Sequence, residues 1–444
     1  MIAPATAPRE IPGADPGRPD SRFLRFWSAS TVSAAGSALT TVALPIIAVQ
    51  QLGASPAEMG LLFAAASAAS LLARLPAATW ADRSPAPLRV VARGQLLSGG
   101  LIASVPGLAA LGLLSYASLI VVVAAAAATS AVVDAFAAPT VPRLVPRSEI
   151  ATAYGRFSAS RGGASVAGPA IAGVLLQLLA APLLLLLDAL SFVVASVLTS
   201  SVRLVDPAAA ENAPSPAPAD LWAVFRVPFL RRCLLVVFFA SLANGAVSAL
   251  LVLFMLRQLE LPPSAIGIVL GAGAVGGVAA GISIGLVRAR LGASLTAGLG
   301  GALMVVSLAV LPLAEPGSSG AFAGVAYELI GNFGATLAVV TIVSEIPVRV
   351  APRATARAIA IANIVPEVAA MTGALAGGAL ASIASVRATL WRASSSRLPG
   401  VFSSSCLRAS GRADNPYRTM PQERPAGGTG SQSDQLAGGG QPAV

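Results

Sequence analysis

The 444-residue chain contains no histidine and no lysine, so all 29 of its basic residues are arginines. Histidine is the commonest metal ligand and general base, and its absence argues against a metalloenzyme. No nucleophile stands in a recognisable constellation with a base, which argues against a membrane-embedded enzyme. The two cysteines, Cys233 and Cys406, offer neither a disulfide framework nor metal-ligand spacing. We therefore expect no metal, no cofactor and no catalytic residue.

Charge is scarce as well. Charged residues make up 11% of the chain and hydrophobic residues 55%, with a mean hydropathy of +0.78. Soluble domains carry about 25% charged residues, so most of this surface does not face water. Only 5% of residues are aromatic and 43 are glycine, and small residues let helices approach closely in lipid. The net charge of +10 does not indicate nucleic-acid binding, because the arginines lie between apolar runs and form no basic stripe.

Eleven apolar runs have the length that a bilayer-spanning helix needs, about 20 residues. They lie near Phe23–Gln50, Ala57–Trp80, Leu88–Leu114, Tyr116–Ala138, Ile150–Leu179, Pro182–Val202, Leu230–Leu256, Ser264–Leu286, Gly292–Leu313, Ser319–Ile346 and Ala356–Ile383. The pattern predicts an all-α membrane protein with a disordered N-terminal segment (1–22), a six-helix bundle (23–203), a cytoplasmic Pro/Ala-rich linker (204–229), a five-helix bundle (230–385) and an atypical tail (386–444). The N-terminal segment has no apolar core and is not expected to be a cleavable signal peptide.

The arginines predict the orientation of these spans. If the N-terminus is cytoplasmic and the spans alternate, every inside segment holds arginines, among them Arg161 after the fourth span and Arg288 after the eighth. The outside loops up to Ser385 hold only Arg257. Cytoplasmic loops of membrane proteins are rich in basic residues. We therefore expect a multi-pass protein of the cell membrane, monomeric, with a cytoplasmic N-terminus.

The C-terminal tail breaks the pattern of the rest of the chain. Val386 to Trp391 resembles the start of a twelfth span, but the following residues are rich in Ser, Arg, Pro and Gly and contain no apolar run of about 20 residues. Seven arginines from Arg387 to Arg424 would lie outside if eleven spans are real. We hypothesise a frameshift just after Trp391, which would leave a disordered tail and a transport-defective product; a true eleven-span protein is the alternative.

Two glycine motifs lie within the apolar runs. Gly271-Ala-Gly-Ala-Val-Gly276 matches the dinucleotide-binding pattern, but it stands inside a long apolar run and not between a strand and a helix. Glycines at four-residue spacing (Gly273, Gly277, Gly281 and Gly285) instead predict a groove for a neighbouring helix. Gly168-Pro169 lies inside the fifth span, where proline kinks a helix. It is either a pivot for a conformational change or plain packing.

Four carboxylates lie within the predicted spans: Asp134, Asp188, Glu328 and Glu367. A charge at bilayer depth costs several kcal/mol unless it faces a partner or a water-filled cavity. Each is therefore a candidate proton or substrate site, and an interhelical polar contact is the alternative for each. Arg74 also lies in a span and could neutralise one of them.

Three segments resemble efflux permeases of the major facilitator superfamily, in particular the branch with enterobactin exporters and macrolide efflux proteins. They are Asp134 to Tyr154, Ala167 to Leu176 with its Gly-Pro motif, and Ala181 to Phe192. The resemblance covers roughly residues 22–390 and implies two helical bundles around a central cavity that opens alternately to either side. The implied twelfth helix is the one that the tail has lost.

The resemblance also implies a conformational latch at the inner end of the second span, formed by Asp82 and Arg83. In the superfamily, a Gly usually precedes this Asp by four residues and a basic cluster follows it. Here Ala78 replaces the Gly, and Ser84 to Pro87 replace most of the cluster. A solvated loop pair is the alternative interpretation.

The resemblance implies export of a small hydrophobic or amphipathic compound (a drug, antibiotic or siderophore-like metabolite) in exchange for protons. Protonation of a membrane carboxylate would shift the population between the two open states. Asp134 and Asp188 are the first choices for this carboxylate. An uptake facilitator or uniporter is the alternative, and a transport rate independent of pH would favour it.

Overall fold

The computed structural model of the chain describes residues 21–202, 228–349 and 352–395. This part of the chain is helical and contains no β-strand. The predicted N-terminal segment up to residue 20, most of the predicted linker and the tail from residue 396 lie outside the described residues. The frameshift hypothesis therefore stays a prediction.

The first bundle consists of six helices. They are α1 (Ser21–Gln50), α2 (Pro56–Arg83), α3 (Pro87–Ala110), α4 (Tyr116–Ala137), α5 (Ile150–Leu175) and α6 (Ala181–Ser200). Helix α1 packs against α5 and α6, α3 against α4 and α6, and α2 against α4. The start of α2 is fixed by a capping box, in which Ser55 and Glu58 satisfy each other's backbone N–H groups.

The second bundle consists of five further helices. They are α7 (Pro228–Arg257), α8 (Pro263–Val310), α9 (Ser318–Arg349), α10 (Pro352–Ile383) and α11 (Val386–Ser395). Helix α7 packs mainly against α10, α8 packs against α9, and α11 contacts α7 and α8. The 10 residues of α11 are too few to span a bilayer.

Helix α8 comprises two predicted spans joined at Gly292, whose φ of 76° and ψ of 168° are not helical. Before the break, Gly273 lies beside Glu328 and Arg288 bonds to Ser344, so this arm runs parallel to α9. After the break the order reverses: Gly300 lies beside Ala338, and Ser307 lies beside Gly331. The chain therefore turns back at a single residue, and a positive φ is a conformation that glycine adopts without a steric penalty.

The helices define two faces of the molecule. The Gly53 face carries the α1–α2 turn and the end of α7, which are joined by a hydrogen bond of 3.0 Å from Arg257 to the Gly53 carbonyl. The Arg83 face carries the end of α2 and the start of α3. Since successive spans alternate in direction, α5 and α10 end at the Gly53 face, whereas α8 begins there.

Helix boundaries match the predicted spans within a few residues. Eight segments of the described chain are long and apolar enough to cross a membrane, and one of them is the 51-residue stretch Pro263–Leu313 that turns back at Gly292. Helices α3 and α5 were predicted as spans but are not among the eight. Both carry arginines, for example Arg93 in α3 and Arg161 in α5, and both lie against several other helices.

The two bundles meet along two seams, α2 with α10 and α5 with α8. At the first seam, a Cβ atom on Gly378 would lie 2.7 Å from the Pro56 carbonyl oxygen and 3.0 Å from Gly60 Cα. At the second, a Cβ on Gly173 would lie 2.5 Å from the Ser264 carbonyl oxygen and 3.1 Å from Gly267 Cα. Both close approaches lie near the Gly53 face, so the bundles are closed against each other on that side.

Candidate functional site

Arg74 and Glu367 form an ion pair between the two bundles. Arg74 lies on α2 and Glu367 on α10, one helix of each bundle, and their Nη1 and Oε1 atoms are 2.5 Å apart. The side chains are 49% and 37% exposed. Glu367 lies between the close approach at Gly378 and the start of α10 at the Arg83 face. The pair thus extends the α2–α10 seam towards the interior of the membrane.

Asp134 pairs with Arg161 inside the first bundle. The carboxylate lies near the end of α4, and the guanidinium reaches it from α5. Both side chains are exposed, by 48% and 62%, and both line a cavity of about 380 Å³ within the bundle. Sequence reasoning counted Arg161 among the arginines of a cytoplasmic segment. The structure places it within α5, where it neutralises a candidate site residue.

Asp188 is almost completely buried, at 1% exposure. Thr40 of α1 donates a hydrogen bond of 2.5 Å to its Oδ2, and Ser191 donates one of 3.2 Å to its Oδ1. Gly36 lets α1 approach α6 here, because a side chain on it would overlap Ser191 and Asp188. No arginine pairs with this carboxylate among the residues that the structure describes.

Glu328 lies on α9 beside the first arm of α8. Asn332, one turn further along, donates a hydrogen bond of 2.9 Å to its Oε2. Gly273 faces this pair, and a Cβ atom there would meet both side chains. The neighbouring Tyr327 is buried and donates a hydrogen bond of 3.1 Å to Asn244 Oδ1 of α7. Each of the four acids therefore has its own polar partner, and the fold does not bring them together.

A further ion pair, which the sequence prediction missed, joins Arg288 of α8 to Glu345 of α9 near the Arg83 face. Arg288 also donates a hydrogen bond of 2.7 Å to Ser344. The second span ends in Asp82-Arg83, and the eighth span, which takes the corresponding place in the second bundle, ends in Arg288-Ala-Arg290. This correspondence is the signal in the sequence that could have pointed to Arg288. Arg83 is exposed at the end of α2, and the Asp82 side chain lies outside the described part, so the latch stays a prediction.

The glycines predicted to allow close packing in the fifth and eighth spans lie in different environments. Gly168 and Pro169 are buried inside α5, with Gly168 against Ala38 of α1. On α8, Gly273 is tightly packed, and a Cβ atom on Gly277 would lie 3.4 Å from the Thr336 hydroxyl oxygen.

The expected packing stripe does not continue along α8. A Cβ at Gly281 or Gly285 would meet open space, and the closest approaches to a neighbouring backbone are made by Gly267 and Gly276. A helix turns 100° per residue, so a four-residue repeat drifts about 40° per step and leaves the contact face after two or three steps.

Metal binding finds no support in the part of the chain that the structure describes: no three His, Cys, Asp or Glu side chains are grouped there.

The sequence profile of the Major Facilitator Superfamily matches residues 26–374. The chain belongs to this superfamily and is a multi-pass membrane transporter. No curated protein sequence matches it significantly.

Several solved structures share the fold. The nucleoside transporter NupG superposes with a TM-score of 0.74 at 10% identity, covering 88% of this chain and 98% of that one. A bacterial homologue of the iron transporter ferroportin, in its inward-facing state, gives 0.69 at 16% identity, covering 88% and 99%. A bacterial homologue of the lysosomal transporter Spinster, inward-facing and unoccupied, gives 0.64 at 15%, covering 89% and 95%. At these identities the likeness concerns the fold alone.

Proposed function

We propose that this transporter exports a small hydrophobic or amphipathic compound through the cell membrane in exchange for protons. The direction of transport is supported by the resemblance of residues 134–154 and 167–176 to efflux permeases. The arginine distribution supports a cytoplasmic N-terminus, which makes the Arg83 face cytoplasmic and the Gly53 face external. In this orientation the described conformation is closed to the outside.

The ion pair between Arg74 and Glu367 is the observation that carries the proposal. It crosses between the bundles, so any movement that separates α2 from α10 must break it. Both side chains are partly exposed, which leaves the pair open to water and to a substrate. Protonation of Glu367 removes one of the two charges and with it the attraction that holds this part of the seam.

Exchange follows if a proton and the substrate act on the same pair. A substrate that displaces Arg74 from Glu367 breaks the ion pair, and a proton that binds to Glu367 breaks it as well. With neither bound, the ion pair holds the bundles in the described conformation and prevents an unproductive return. Each ligand shifts the equilibrium by its preference for the released state.

The test uses inverted membrane vesicles that contain the full chain and acidify their lumen. Ethidium serves as an amphipathic probe, and a pH-sensitive dye reports the proton gradient. We expect ethidium uptake to consume the gradient, and Glu367→Gln to abolish this consumption while the protein stays in the membrane. Glu315→Gln, at an exposed acid outside the seams, is the matched control and should behave like the unmodified chain. Ethidium movement at a rate independent of pH would overturn the exchange and favour a uniporter.

A further inference from the structure

The cavity within the first bundle is lined by hydroxyl groups. It has a volume of about 380 Å³, and all of its walls come from α1, α3, α4, α5 and α6. Its walls come from the first bundle alone, although Pro169 at one edge also borders the α5–α8 seam. Pockets for small molecules typically measure about 300–1,000 Å³. The polar side chains of interest are Ser30, Ser33, Ser37, Gln95, Ser98 and Ser130.

Most of these polar groups have no partner within the described part of the protein. Serines in helices commonly bond to a carbonyl of the preceding turn, as Ser165 does to Gly162 at the cavity wall. No such bond is made by the hydroxyls of Ser37, Ser98 or Ser130 in the described structure. Ser98 is only 2% exposed and lines the cavity without a hydrogen-bond partner in the described structure. Its hydroxyl is therefore available for a hydrogen bond to a molecule bound in the cavity.

The charged residues at the cavity indicate which kind of molecule could bind there. The charged groups at the cavity are Asp134 and Arg161, and they neutralise each other. A cationic ligand would have to compete with Arg161, and an anionic one with Asp134. Serine hydroxyls both donate and accept hydrogen bonds, and so do the hydroxyls of an uncharged ligand. Phe192 adds an apolar wall.

From this geometry we infer that the cavity within the first bundle binds an uncharged, polyhydroxylated group of about the size of a sugar. The inference rests on the proposed function only in that the group is taken to be the polar portion of an amphipathic cargo. Binding itself needs no gradient and no movement of the bundles.

Three short amphiphiles with the same butyl tail test this inference: butyl β-glucoside, butyltrimethylammonium and butyl sulfate. Their affinities for the purified full chain in nanodiscs are measured by calorimetric titration without a gradient. We expect the glucoside to bind at least about fivefold more tightly than either ion, and Ser37→Ala with Ser98→Ala to weaken it by about fivefold or more, as the loss of hydrogen bonds implies. Ser283→Ala, on α8 and outside the cavity, should leave the affinity unchanged.

Equal affinities for the three head groups, or no effect of the double variant, would overturn the inference. If the double variant fails to fold, Ser130→Ala at an exposed position replaces it. The outcome is independent of the vesicle experiment: glucoside binding without proton exchange would contradict only the proposed function, and exchange without glucoside binding would contradict only the cavity assignment.

Discussion

The two seams between the bundles are alike near the Gly53 face and differ deeper in the membrane. Both begin with a close approach of glycines, Gly60 with Gly378 and Gly173 with Gly267. The α2–α10 seam continues to the ion pair of Arg74 with Glu367, whereas the α5–α8 seam continues to Pro169 and Gly271. No ion pair crosses the α5–α8 seam among the described residues. Under the proposed function, the α2–α10 seam is the one that responds to protons, and we expect the α5–α8 seam to be a passive contact during the movement of the bundles.

The largest effect on the rate of ethidium transport is expected at the α5–α8 seam. Gly267→Leu places a side chain against the backbone of Gly173 and Pro169, so the Gly53 face can no longer close. Overpacking costs about 1–3 kcal/mol, and ethidium transport should fall by about tenfold to a hundredfold. Gly281→Leu on the same helix, where a side chain meets open space, is the control. Equal losses in both variants would show that the close approach has no special role.

A smaller effect is expected when the charges of the other seam are exchanged. Arg74→Glu alone puts two acids together and should reduce transport by about fivefold, since partly exposed ion pairs contribute up to about 1 kcal/mol. Adding Glu367→Arg rebuilds the pair in reverse and should restore most of the rate. If the double variant is no better than the single one, the two residues do not act as a pair.

A still smaller effect is expected at the buried acid within the first bundle. Asp188→Asn keeps an oxygen that accepts from Thr40, so the protein should reach the membrane at normal levels while proton-driven export is reduced. Asp134→Asn, which removes the partner of Arg161, should behave in the same way. Immunoblots and vesicle transport measure both quantities. Full export by both variants would leave these acids with a structural role only.

The orientation of the Gly53 and Arg83 faces in the membrane can be measured by labelling, and the substitutions that this requires are expected to leave transport unchanged. In a chain without Cys233 and Cys406, a cysteine at Gly53 should react with a membrane-impermeant maleimide added to intact cells. A cysteine at Ser84 should react only after the membrane is permeabilised, and a reporter fused near Pro214 should read as cytoplasmic. The opposite labelling pattern would reverse the assignment of the faces and turn the proposed export into import.

Much of the fold was predictable, because a spanning helix needs a long apolar run whatever its neighbours are. Arg74 was expected to neutralise one of the membrane acids, and it does. Which acid it pairs with was not predictable, because the pairing depends on helix packing between distant segments: Arg74 and Glu367 are 293 positions apart. Arg161 and Arg288 were interpreted only as arginines that mark the cytoplasmic side. Their ion pairs with Asp134 and Glu345 were therefore not predicted. The prediction that the glycines of α8 form a continuous packing face was wrong from Gly281 onward, because residue spacing alone does not determine which face of a helix a neighbour contacts.

The reversal at Gly292 has a consequence for how the protein enters the bilayer during synthesis. The 51-residue segment Pro263–Leu313 contains an 18-residue window with a mean hydropathy of 2.0 and has no polar loop, so the insertion machinery meets one long apolar stretch. Arg288 and Arg290, just before the turn, are the only charges that mark where it should fold back. In the proposed orientation these two arginines lie on the cytoplasmic side, and we expect the two arms to enter the bilayer as a single hairpin. We expect this hairpin to be paired before α9 packs against both of its arms.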